Sequence, residues 1–125
     1  METMGHIWID VDLSDLAKTK TRRVRGLVDT GASLTTIPKT LATELGIEVT
    51  SRSLVQTGAG RIEIERGSAR VGVAGEEDLQ TVWISEIIDK VLVGCVTLEM
   101  LGLKVDPTTG GIESAPLLLY PLPRE

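Results

Sequence analysis

The run "RIEIERGSARVGVAG", residues 61–75, places the strongest constraint on the fold. Ile62 and Ile64 alternate with Arg61, Glu63 and Glu65, and Ala69, Val71 and Val73 alternate again. A period of two puts apolar and polar residues on opposite faces of a strand and cannot form the stripe of a helix. Glycines punctuate the run, and "TGAG" at 57–60 precedes it, so the stretch reads as hairpins of an antiparallel sheet. "HIWIDVDL" alternates as strictly, with Ile7, Ile9, Val11 and Leu13 on one face and Trp8, Asp10 and Asp12 on the other. "RRVRGLV" continues as its partner strand across a basic turn.

The remaining text fits the same class. "SLTTIP" is a short extended piece, and Pro38 opens a helix, "PKTLATEL", that Gly46 ends in a left-handed cap. "SLVQ", "LQTVWISEII" and "KVLVG" read as strands, and "VTLEMLG" as a short helix capped by Gly102. "LKVD", the turn "PTTGG" and a proline-broken tail, "APLLLYPLP", close the chain. With 125 residues, 42% of them apolar, one mainly-β domain over 1–125 is expected. Its core must be aliphatic, because the chain has no Phe.

Charge narrows the function. A net charge of −5 argues against a nucleic-acid or anionic-membrane partner. The basic cluster Lys18, Lys20, Arg22, Arg23 and Arg25 has no interleaved aromatics and reads as a solvated turn. Asp10, Asp12 and Asp15 lie on or beside a strand that cannot wrap an ion, and "TGAGR" lacks the Lys-Ser/Thr of a phosphate loop. Cys95, the single cysteine, reads as a buried structural thiol in a reducing compartment. No apolar run approaches the ~20 residues that cross a bilayer, and the N-terminus has no signal-peptide pattern, so a cytoplasmic protein is expected.

One stretch points to chemistry. In "GLVDTGAS" the apolar Leu27 and Val28 run into Asp29, and Thr30, Gly31 and Ala32 follow. An Asp at a turn is commonly a turn-former, bonding to backbone two residues on. The triplet Asp-Thr-Gly alone arises by composition in roughly 2% of chains this long. Here two further features stand at matching places downstream: the glycine-rich hairpin tip within "VQTGAGRIEIERG", and "KVLVG" directly before a short helix.

Together these three stretches, ordered over residues 6 to 110, resemble the retropepsin-like aspartic proteases: their active-site loop, their flap and their second signature. The resemblance implies a closed β-barrel or sandwich with a flap hairpin and one or two short helices, assembled as a two-fold homodimer. Pepsin-like enzymes carry two such loops in one chain; this sequence has one, so the second acid is expected from another copy. Asp29 is then catalytic, and Thr30, Gly31 and Ala32 support its loop, with the Thr30 hydroxyl bonding across the two-fold axis. Two carboxyls at hydrogen-bond distance cannot both ionise readily, so such a pair shares one proton.

The reaction implied is hydrolysis of an extended peptide or protein by an activated water, requiring no metal or cofactor. Thr57, Gly58, Ala59 and Gly60 form the expected flap tip; Val55, Ile62 and Leu92 are expected as apolar subsite walls. Leu27, Val28 and Leu92 are expected to enclose the acids. Viral members often place Arg-Asp or Arg-Asn after the second-signature glycine, and the Arg pairs with an acid just past the loop. Here Cys95-Val96 and Ser33 occupy those places, so that brace is absent. Ala32 cannot donate to the carboxylate as a Ser would, so activity is expected at weakly acidic pH. The tail, 115–125, is expected as a dimer-interface strand. A second reading keeps the fold and dimer but uses the groove to bind peptides, with weak or no hydrolysis.

Overall fold

A computed structural model of the chain describes residues 6–115. The expected interface strand of the tail falls on residues that, beyond Ala115, lie outside the described range.

Among the described residues the chain forms β1 (Trp8–Ser14), β2 (Thr21–Asp29), β3 (Thr36–Pro38), α1 (Lys39–Leu45) and β4 (Val49–Thr57). After these come β5 (Gly60–Val73), β6 (Glu76–Ser85), β7 (Val91–Gly94), α2 (Cys95–Met100), β8 (Leu103–Val105) and β9 (Ile112–Ser114). Neighbours in the main sheet run β1-β2-β7-β3-β6-β5-β4. Asp12–Ser14 of β1 also pair with Arg70–Gly72 of β5. That pairing closes six strands into a barrel and leaves β4 outside the ring, paired only to the outer half of β5. Closure removes the free edges of the six ring strands, and β4 alone of the main sheet keeps an outer edge among the described residues.

Alternation explains the core. Val11, Leu13, Ile37, Val71, Val82, Ile84 and Val93 are buried almost completely, and every one is aliphatic. Burying each such side chain stabilises the fold by about 1.5–3 kcal/mol relative to exposure. The opposite face of β1 carries Asp10 and Asp12, which pair with Arg25 and Arg23 of β2. These carboxylates are therefore engaged by the hairpin's own cations. The Arg23 guanidinium donates to Asp12 at 2.8 and 3.2 Å and holds its carboxyl below the ordinary aspartate value, against a smaller opposing effect of burial.

Glycines behave in two ways. Gly46 ends α1 in the left-handed conformation (φ 73°), as expected. Gly67, by contrast, does not break its run. β5 is one strand of 14 residues, and Gly67 sits inside it because a Cβ there would lie 2.5 Å from the Glu48 carbonyl oxygen. β9 was unmarked in the sequence; it pairs antiparallel with β8 across the 107–111 turn. Two neighbouring pairs, β2–β7 and β3–β6, are parallel, and periodicity carries no trace of this.

Candidate active site

β2 delivers Asp29 to the end of the barrel. Gly26 has core valines against it: a Cβ there would stand 2.8 Å from Val93 and 2.9 Å from Val11. Val28 also packs against the core. The period of two therefore turns Leu27 and Asp29 to the other face, together with Leu92, the ladder partner of Leu27. Val28 consequently does not wall the acid, contrary to expectation; Leu27 and Leu92 lie on its face.

Beyond Asp29 the backbone turns at once. The Gly31 N–H donates to Asp29 Oδ1 at 3.0 Å, and the Ala32 N–H donates to the Asp29 carbonyl at 3.0 Å. A Cβ on Gly31 would lie 3.4 Å from Oδ1, an ordinary contact, so the backbone amide and not a lack of room makes this approach. Thr30 is exposed, and Asp29 itself is half-buried.

The loop is then bound to the β7–α2 junction. Gly94 is the ladder partner of Asp29. α2 has Gly94 as its N-cap and no side-chain cap, so its first amides need acceptors. Loop carbonyls supply them: Cys95 N–H donates to Ala32 and Val96 N–H to Ser33, both at 3.0 Å. Cys95 is half-buried, more open than a core thiol.

A cleft of about 630 Å³ opens beside Asp29. Gly31, Ala32 and Ser33 border it on the loop side, and Val55, Thr57 and Ile62 of the β4–β5 hairpin on the other. Two expected wall residues, Val55 and Ile62, and one expected flap-tip residue, Thr57, thus share one cavity with the acid. The hairpin tip (Gly58, Ala59, Gly60) and Leu92 do not line it within a single chain. Other liners went unmarked in the sequence: Ile64, Trp83, Ile87 and Ile88. Ile64 continues the alternation of Ile62, which is a signal. Trp83 arrives only because β6 runs parallel beside β3, Trp83 opposite Thr36.

Ion pairs hold the base of the hairpin, and a threonine hydroxyl spans its tip. Glu65 accepts from Lys39 of the α1 start at 2.6 Å and lies 3.4 Å from Arg52. At the tip, the Thr57 hydroxyl accepts from Ala59 N–H at 3.1 Å and donates to the Gly60 carbonyl at 2.7 Å. Gly60 takes φ 109°, a conformation that side chains disfavour.

Comparison with known proteins agrees with this geometry. The retropepsin-like protease from Rickettsia conorii superposes with a TM-score of 0.57 at 22% identity, over 84% of this chain and 79% of that one. The retroviral protease-like domain of Ddi1 from Leishmania major gives 0.60 at 21%, over 94% and 97%. EIAV protease complexed with the inhibitor HBY-793 gives 0.62 at 16%, over 95% and 98%. No curated protein matches the chain in sequence. The closed six-strand barrel of this chain has the retropepsin fold of these structures. Residues 17–100 match the family described as "gag-polyprotein putative aspartyl protease", and the chain belongs to this family of retropepsin-like aspartic proteases.

Proposed function

We propose that this member is an active homodimeric endopeptidase in which Asp29 and Asp29 of the partner subunit hold one water between them. The observation that carries the reading is the setting of Asp29. It stands at the end of a core strand, its Oδ1 fixed by Gly31 N–H, facing a cleft bordered by a hairpin. One chain supplies one such acid. A two-fold axis brings identical residues together and supplies the second.

In the reaction the ionised aspartate takes a proton from the water as it attacks the peptide carbonyl. The protonated aspartate donates to the carbonyl oxygen, giving a gem-diol. The C–N bond then breaks as the proton taken from the water passes to the leaving amine and a gem-diol hydroxyl returns a proton to the other aspartate. Val55, Thr57 and Ile62 contact the extended substrate, and Leu27 and Leu92 enclose the acids once the partner covers their face. The β4–β5 hairpin serves as the flap: Gly58, Ala59 and Gly60 close over the peptide, offer backbone hydrogen bonds and exclude water. Thr30, exposed beside Asp29, bonds across the axis.

Asp29→Asn tests the reading. Hydrolysis of an unstructured protein falls by about 10³-fold or more, while sedimentation still shows the dimer. Wild-type rates in Asp29→Asn would refute it. A wild-type dimer that cuts nothing between about pH 3 and 7 would instead favour a peptide-binding groove.

A further inference from the structure

We infer that Thr35 and Thr97 form the positioning device of the Asp29 loop, an inference that rests on the aspartic-protease reading of Asp29. Both residues are 0% exposed. Thr35 lies between the loop and β3; Thr97 lies on α2. Their hydroxyl oxygens are 2.6 Å apart. Thr35 Oγ1 also accepts from the Gly94 N–H at 3.3 Å, and either hydroxyl can donate to the other across the pair. Outer bonds fix both ends. The Thr35 carbonyl accepts from Trp83 N–H at 2.9 Å, and Gln80 donates from Nε2 to the Thr97 carbonyl at 3.3 Å.

Buried hydroxyls are costly unless paired, so a pair this deep in an aliphatic barrel needs a reason. Its location supplies one. Gly94 is the ladder partner of Asp29, and it meets the loop so closely that a Cβ would lie 2.3 Å from the Ser33 carbonyl oxygen. The segment between Asp29 and β3 has no ladder of its own. Its register relative to Gly94 is set by the Thr35 hydroxyl together with the bonds from Cys95 and Val96 N–H. An arginine–acid brace is absent at Ser33 and Cys95. Neutral hydroxyls tie the loop to the helix in its place, without a charge to be lost in acid. Neither threonine lines the cleft, so both act through backbone position and touch no substrate.

The test compares Thr35→Val, close in shape but without the hydroxyl, with Thr35→Ser, which keeps it. Thr97→Val removes the same link from the helix side and serves where Thr35→Val folds poorly. Two readouts are taken at a temperature where circular dichroism shows each variant folded. The first is amide exchange at Gly94, Cys95 and Val96. It accelerates by about tenfold or more in the valine variants and stays near wild type in Thr35→Ser, while exchange in β5 and β6 is unchanged. The second is peptide hydrolysis: kcat falls about ten- to a hundredfold in the valine variants with KM within about twofold, and Ser restores it. Unchanged exchange at the three amides overturns the inference, as does accelerated exchange with wild-type kcat. Failure of Ser to restore either readout overturns it too, because the hydroxyl is then not the agent. If the wild type hydrolyses nothing, the protease reading falls by itself, and the amide exchange still decides whether the hydroxyl pair holds the loop.

Discussion

Gly94 lies beside Asp29 in the parallel β2–β7 ladder, and the loop that follows Asp29 passes directly over it. A Cβ on Gly94 would stand 2.3 Å from the Ser33 carbonyl oxygen and 2.6 Å from the Leu34 carbonyl carbon. Both are backbone atoms, so the strain cannot be relieved by turning a side chain. Gly94→Ala is expected to destabilise the fold by about 1–3 kcal/mol or more and to abolish hydrolysis by displacing the loop. Gly58→Ala is the control: nothing lies within 4 Å of its added Cβ, and stability should stay within about 0.5 kcal/mol. Denaturant unfolding of the two variants measures the contrast.

The hairpin tip gives a second expectation. The Thr57 hydroxyl spans the turn, accepting from Ala59 N–H and donating to the Gly60 carbonyl. Thr57→Val removes both bonds at a partly exposed position, costing less than about 1.5 kcal/mol of stability. If the hairpin closes over substrate, a looser tip must be ordered at binding. KM should then rise about two- to tenfold with kcat less affected. Steady-state kinetics on one peptide decides it, and an unchanged KM would count against the flap role.

Much of this arrangement was legible in the sequence, because turn chemistry and strand periodicity are local. The Asp29 turn, the glycine-rich tip and the β7–α2 junction each occupy a few consecutive residues with distinctive types. The long-range pairings were not legible. Trp83 enters the cleft through the parallel pairing of β6 with β3, and the barrel closes through three residues of β1 on β5. Gly67 looked like punctuation, yet it marks a close backbone approach within one continuous strand. Thr35 and Thr97 carry no signal either: a threonine in a short extended piece or a short helix is ordinary, and only the fold brings two hydroxyls 62 positions apart into contact.

Acid affects the scaffold in a defined direction. The Arg23 hydrogen bond to Asp12 is the main cause of that carboxyl's depressed pKa. A group whose folded value is depressed stabilises the fold above its unfolded value and loses that contribution as pH falls through the folded one. Asp12→Asn should therefore lower Tm by a few degrees at most near neutrality, since the pair is largely exposed. The deficit should persist into mildly acidic solution and close only below the ordinary aspartate range. Thermal unfolding of both proteins across pH tests this; a deficit that grows on acidification would contradict it.

The central claim is that each molecule carries half of a reaction centre. Mixing wild type with Asp29→Asn subunits, allowed to exchange, tests it most directly, read as hydrolysis per wild-type subunit. If one site needs Asp29 from both copies, this specific activity falls to about half in an equal mixture and to about a tenth at ninefold excess of the variant. A specific activity independent of the added variant would mean that one chain suffices, and the shared dyad would be wrong.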